Sequence, residues 1–156
     1  MSYDAAFGLL NLSVVPAWVL LLVLPRAKIT KVFVHSGLYP ALLGVFYIIV
    51  MGLQIFFGHG AVEGGNFFTV SGISALFQHP HGVMIGWSHY LVFDLFVGAW
   101  IGRDAARQSI SHFAAAPCQL LTFIFGPVGL FCYMLLRVFS GRGFGLDEHA
   151  IREEVV

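Results

Sequence analysis

Four stretches of this chain run for about twenty residues without Lys or Arg, the length a helix needs to cross a bilayer core of roughly 30 Å. They are Ala5 to Leu24, Leu38 to Phe57, Gly82 to Ile101 and Cys118 to Leu136. Pro25, Pro40, Pro80 and Pro117 fall at or near their ends, where a missing N–H or a broken helix is tolerated. The first stretch reads as a spanning helix and not as a signal peptide. Met1 to Asp4 supplies no positive charge, and no small-residue cleavage site precedes Pro25-Arg26. The pattern predicts an all-α polytopic membrane protein, a bundle of four transmembrane helices forming a single membrane domain over residues 1–156.

The polar positions between the stretches bear on orientation. Loop one carries Arg26, Lys28 and Lys31, loop three carries Arg103 and Arg107, and loop two, Gly58 to His81, has neither Lys nor Arg. Short basic loops are retained in the cytoplasm, which puts both termini outside. The tail runs against that count with Arg137, Arg142 and Arg152, although Asp147, Glu148, Glu153 and Glu154 surround two of these. Loop two holds the turn signal Gly64-Gly65-Asn66 and then an apolar run, 67–77, too short to span. That run is expected to lie in the interface or to dip back over the bundle as a lid.

Composition sharpens the picture. With 58% hydrophobic residues, 10% charged and 16 Phe, at a mean hydropathy of +0.86, the apolar surface exceeds what one small core can hide. Eight basic residues balance eight acidic ones, so no basic field for nucleic acid exists. Cys118 and Cys132 lie in one apolar run, about 21 Å apart on a continuous helix, too far for a disulfide within it.

Candidate chemistry concentrates in the third stretch, which contains both His89 and Asp94. An ionised Asp at a helix centre costs about 2.5 to 3.5 kcal/mol on insertion scales, so it should face the bundle interior and have a partner. Tyr90, Gly98 and Gly102 share its face at helical spacing. His89 stands roughly 140° away around the helix. The pair are either interhelical hydrogen-bonding groups or the lining of a substrate cavity seen from two angles. In the fourth stretch Cys118, Thr122, Gly126, Gly129 and Tyr133 share one face of a regular helix, and Gly126-Pro127 should bend it and free a carbonyl near mid-membrane. Ordinary packing through small residues explains the glycines equally well. Seven histidines invite a metal reading, but neither HxxxH nor HxxHH clusters occur, and no metal site is expected. His59, His79, His81 and His112 read as interfacial. Gly98-x-x-x-Gly102 is compatible with a homo-oligomer and also with packing inside one chain. No phosphate loop or serine elbow is present.

The run Gly86-Trp87-Ser88-His89-Tyr90-Leu91-Val92-Phe93-Asp94-Leu95-Phe96-Val97-Gly98, with Trp100, Asp104 and Gly126-Pro127-Val128-Gly129-Leu130, resembles the abscisic-acid-deficient-4-like family of small membrane proteins. Val15-Pro16-Ala17-Trp18, Leu24-Pro25 and Ile29-Thr30-Lys31 extend the likeness over nearly the whole chain. That family includes the plant neoxanthin synthase, so the resemblance implies a role in carotenoid metabolism: isomerisation of an epoxy-xanthophyll end ring to an allenic alcohol, with no redox cofactor. Plant members carry a plastid transit segment that is not seen here, which leads to the expectation of a bacterial inner-membrane relative. Such a reaction needs an acid for the epoxide and a base for a carbon-bound proton in a dry slot. Asp94 and His89 are the expected acid/base pair, with Trp87, Tyr90, Gly98, Thr122, Gly126 and Tyr133 as substrate-binding positions. The alternative is a non-catalytic membrane protein that binds a carotenoid or other isoprenoid, or assists a separate enzyme. A small transporter or channel is weakened by the single intramembrane acid and the lack of a repeat.

Overall fold

A computed structural model describes residues 2–146, and among them the secondary structure is helical with no strand. Three helices are long and apolar enough to cross a membrane. The first, α1, is Tyr3–Val23, capped by the Ser2 hydroxyl, which accepts a hydrogen bond from the Ala5 N–H at 3.2 Å. A three-residue turn α2, Lys28–Thr30, and a π-helical turn, Lys31–His35, lead into α3, Leu38–Phe57. Thr30 Oγ1 ties this connection down by donating to the Leu24 carbonyl at 2.6 Å. Loop two contains the short helix α4, Val70–Leu76, within the stretch expected to lie in or dip into the interface. Next comes α5, Pro80–Arg107, which outruns the expected Gly82 to Ile101 because its polar last turns continue the helix beyond the apolar span.

Helix α5 is the axis of the bundle, packing against α1, α3 and the later helices. Half of its apolar stretch is buried, against 28% for α1 and 17% for the stretch running through α3. The outer faces of α1 and α3 present Leu12, Val19, Ile48 and Ile55 to the surroundings, as lipid contact requires.

The fourth stretch departs from expectation. A single bent helix over 118–136 was expected; the structure has α6, His112–Phe125, and α7, Pro127–Phe139, separated by Gly126 at φ 47°, ψ −97°. That backbone conformation is open to glycine and closed to other L-residues, and Pro127 then starts α7 where its missing N–H costs nothing. The two helices fold back on each other. The Gly129 backbone lies directly against Thr122 and the Cys118 carbonyl, leaving no room for a Cβ. Going up α6, Gln119 Nε2 donates to the Gly98 carbonyl at 2.9 Å and Gly126 reaches Asp94; coming down α7, Tyr133 and Arg137 return to Asp104. A helical hairpin thus enters beside the C-terminal end of α5 and leaves at the same end. Asp94 stands midway along the 28 residues of α5, so the hairpin tip is near half depth. With 14 and 13 residues, its arms are about 20 Å long, short of a bilayer core. The start of α1 and the end of α7 consequently lie at opposite ends of the bundle, which does not fit the expectation of both termini on one side. The acidic tail and Arg152 fall outside the described residues.

Replacing Gly126 by Ala forces a strained backbone at the hairpin tip and should cost about 1 to 3 kcal/mol, whereas Gly44→Ala, in the open interior of α3, should be neutral or stabilising by up to about 1 kcal/mol. Thermal unfolding of the detergent-solubilised protein separates them: a Gly126→Ala protein melting with the parent would rule out the tight turn.

Candidate functional site

The tip of the hairpin and the middle of α5 build one site. Breaking a helix in the bundle interior strands backbone carbonyls that lipid cannot satisfy. Tyr90, one turn before Asp94, answers this by donating its hydroxyl to the Ile124 carbonyl at 2.9 Å. The same hydroxyl stands beside the Asp94 carboxyl. Asp94 is only 8% exposed and faces Gly126; a Cβ there would stand 2.6 Å from Oδ1. Its second oxygen, Oδ2, is buried without a hydrogen-bond partner. Trp87 completes the wall, its ring tilted on Tyr90 with centroids 5.2 Å apart and its Nε1 donating to Asn11 Oδ1 at 2.8 Å. A separate apolar groove of about 350 Å³ lies between α5 and α7, lined by Phe96, Val97, Trp100, Leu130, Met134 and Leu146. Val97 is three residues beyond Asp94 and Leu130 four beyond Gly126, but neither Asp94 nor Gly126 lines it.

Of the residues singled out from sequence, the structure therefore brings Trp87, Tyr90, Asp94 and Gly126 together. The others lie elsewhere. His89 is exposed on the α3 side of α5, stacked on Phe93 with centroids 4.6 Å apart and edge-on to Tyr47 at 5.7 Å. There it lines a separate groove of about 250 Å³ with Gln54, Met51, Phe67 and Phe77, so the segment following the Gly64-Gly65 turn walls this second groove. Gly98 is filled by the Trp18 ring and its carbonyl is taken by Gln119, while Gly102 packs on Gln119 and His35. The Gly98/Gly102 pair is thereby used inside the chain. Thr122 donates to the Cys118 carbonyl at 2.9 Å beneath Gly129, within the hairpin.

Tyr133 belongs to a second polar centre, which sequence reasoning missed. Its hydroxyl donates to Asp104 Oδ2 at 2.6 Å, and Arg137 Nε stands 3.4 Å from the same oxygen, with Arg107 3.4 Å from Oδ1. Arg137 is 1% exposed, and it also donates to the Gly145 carbonyl. The signal was present in the spacing. Tyr133 and Arg137 are four apart and so share a face, yet Arg137 was counted with the tail beyond the fourth stretch. The interfacial histidines also have structural work: His79 Nδ1 accepts from the His81 N–H, and His81 donates to the Val50 carbonyl at 2.9 Å. Among the described residues no three His, Cys, Asp or Glu side chains converge in a way that could hold a metal ion.

Fold and site together define an all-helical protein with several apolar helices able to span a membrane and an acid held at the tip of a broken helical hairpin. The ABA DEFICIENT 4-like family model matches residues 5–133, from α1 through Tyr133, and the chain belongs to that family. It is 26% identical over 141 residues to Protein ABA DEFICIENT 4, chloroplastic, of Arabidopsis thaliana, a match covering 86% of this chain and 61% of the relative. The chain thus spans about three-fifths of the length of that relative. No solved structure matches it. The name of this relative places it in the chloroplast and lends no support to the expectation of a bacterial inner membrane.

A buried Arg left without its acid is costly, so Asp104→Asn should destabilise the protein by about 3 kcal/mol or more. The double variant Asp104→Asn with Arg137→Met should recover part of that loss. Unfolding midpoints of the two single variants and the double test this, and strictly additive effects would mean that the ion pair carries no coupling.

Proposed function

We propose that the protein is an integral membrane protein that takes up a carotenoid or related isoprenoid from the bilayer and isomerises its oxygenated end ring by proton transfer at Asp94. The observation that supports this reading best is the unpartnered Asp94 Oδ2, held midway along α5 beside a helix break, with an apolar groove between α5 and α7 further along the same helices. A carboxylic acid can close such a cycle alone. Its O–H protonates the epoxide oxygen as the ring C–O bond breaks, and the carboxylate left behind removes a proton from the adjoining chain carbon, giving an allenic alcohol with no net gain or loss of atoms or electrons. Tyr90 holds the break together and keeps the carboxyl oriented, Trp87 shapes the end-ring side, and Gly126 leaves the room that a side chain would fill. In this reading His89 does not share the Asp94 centre; it belongs to the second groove, which suits another part of a long apolar ligand.

A non-catalytic reading, in which the chain binds the pigment or assists a separate enzyme, is favoured by one feature: the Tyr90 hydroxyl beside Asp94 donates its proton to the Ile124 carbonyl, a structural use of the nearest proton-transfer group. The two readings diverge in cells. In a carotenoid-producing host the enzyme yields a new carotenoid when expressed alone, whereas a binder only co-purifies with pigment.

Membrane placement follows from the hairpin. Seven of the eight Lys and Arg residues are among those described, and all seven, from Arg26 to Arg142, lie toward the end where α1 and α5 finish, while Asp4 and Glu63 lie toward the other. The positive-inside rule then gives three spans and a re-entrant hairpin, with the N-terminus translocated and the end of α7 retained.

Asp94→Asn should lower carotenoid conversion by roughly a hundredfold or more while pigment still co-purifies, and His89→Ala should leave turnover within a few-fold of the parent; chromatography with mass spectrometry of host pigments reads both, and full conversion by Asp94→Asn refutes the assignment. For the topology, a reporter active only in the non-translocated compartment should work when fused after Leu146 and fail when inserted after His59. The reverse pattern, or activity at both positions, would overturn it.

A further inference from the structure

A cavity of about 430 Å³ lies away from Asp94, at the basic end of the bundle, between the α1–α3 connection and the last turns of α5. Arg26 and Lys31 come to it from the connection, Arg103 from α5, and His35 and His112 add two imidazoles. Among the described residues no carboxylate lines it. On the α5 side its wall is made of the small side chains Ala105 and Ala106. The rim is held by backbone bonds that leave the cationic heads of Arg26 and Lys31 unused: His35 Nε2 donates to the Pro25 carbonyl at 3.2 Å, His112 Nε2 to the Leu22 carbonyl at 2.8 Å, and Arg103 to the His35 carbonyl at 3.0 Å. His35 Nδ1 is left buried with no partner. The cavity is therefore a preformed concave site of one charge sign, of a size that takes a small polar group.

We infer that this cavity binds a phosphate group of net negative charge. Two sources carry that chemistry, the headgroup of an anionic phospholipid and free phosphate in the adjoining aqueous phase. Position favours the lipid. The cavity lies where α1 and α5 end, at the level at which lipid phosphates meet the ends of spanning helices, and basic pockets between helices on the retained face are sites for anionic headgroups. The site is independent of the Asp94 chemistry and would survive its failure.

The full chain, reconstituted in nanodiscs of phosphatidylcholine with a minor fraction of phosphatidylglycerol, is re-extracted in mild detergent and its retained lipid is measured by mass spectrometry. The parent should retain phosphatidylglycerol in excess of its share. The double variant Arg26→Gln with Lys31→Gln should lose that enrichment by about tenfold or more, with its helicity and melting temperature unchanged because both side chains are exposed. Arg142→Gln, at the same end but outside the cavity, should retain it. Competition by millimolar inorganic phosphate would show that free phosphate also occupies the site, and enrichment that resists it would assign the site to lipid alone; each supports the inference. No enrichment together with no phosphate binding by calorimetry, or enrichment that the double variant keeps, overturns it.

Discussion

The arrangement of this molecule depends on one backbone event, the reversal of the chain at Gly126-Pro127 in the interior of a bundle of apolar helices. In water such a break costs little, because solvent takes up the freed N–H and C=O groups. Inside a bilayer each one must be met by protein, and the positions around the break are accordingly specified. Gly126 supplies a conformation no other L-residue adopts readily, Pro127 removes an N–H that would otherwise be stranded, and Tyr90 donates to the Ile124 carbonyl. Asp94 completes the set with one oxygen still unpartnered. The polar groups gathered midway along α5 follow from the need to make a helix break acceptable in an apolar bundle.

The rest of the bundle is held in the same manner, by side chains reaching the backbone carbonyls of neighbouring helices. Tyr39 donates to Ser13, His81 to Val50, Gln119 to Gly98 and His112 to Leu22. Each such bond is worth only about 0.6 kcal/mol within a membrane, but together they fix register where apolar contact with lipid and with protein differ little. Close approach supplies the remainder: the six-membered ring of Trp18 reaches the Gly98 backbone, and Gly102 admits Gln119 and His35. A chain of this size with its apolar outer faces turned to lipid has few other means of selecting one packing.

Continuous apolar runs made α1 and α3 legible to within a residue or two, because a spanning helix is defined by length and by the absence of charge, and both are local properties. The hairpin was not legible. Residues 118–136 have the composition and length of a span, and what divides them is the pairing of Gly129 with the Thr122 and Cys118 backbone, a contact between positions that helical periodicity would place turns apart. In the proposed topology, with the hairpin turned back, Arg137 and Arg142 fall at the same end of the bundle as loops one and three. Within the site, Asp94, Tyr90 and Trp87 were found because they share one helix, where spacing is geometry. His89, about 140° around the helix from Asp94, lines the α3-side groove, and the Asp104–Tyr133–Arg137 centre was missed because its members come from two helices.

The two buried acids of α5 show why one is a candidate for chemistry and the other is not. They lie ten residues apart on one helix, and both are almost wholly removed from solvent. Asp104 is met by a phenol and two guanidinium groups, an arrangement that compensates its charge and locks the base of the hairpin to α5. Asp94 has no cation facing it; its neighbours are a phenol already committed to the backbone and a glycine without a side chain. An unanswered polar group in a dry interior costs stability with no return in packing, and this difference between the two acids is what the proposed role of Asp94 rests on.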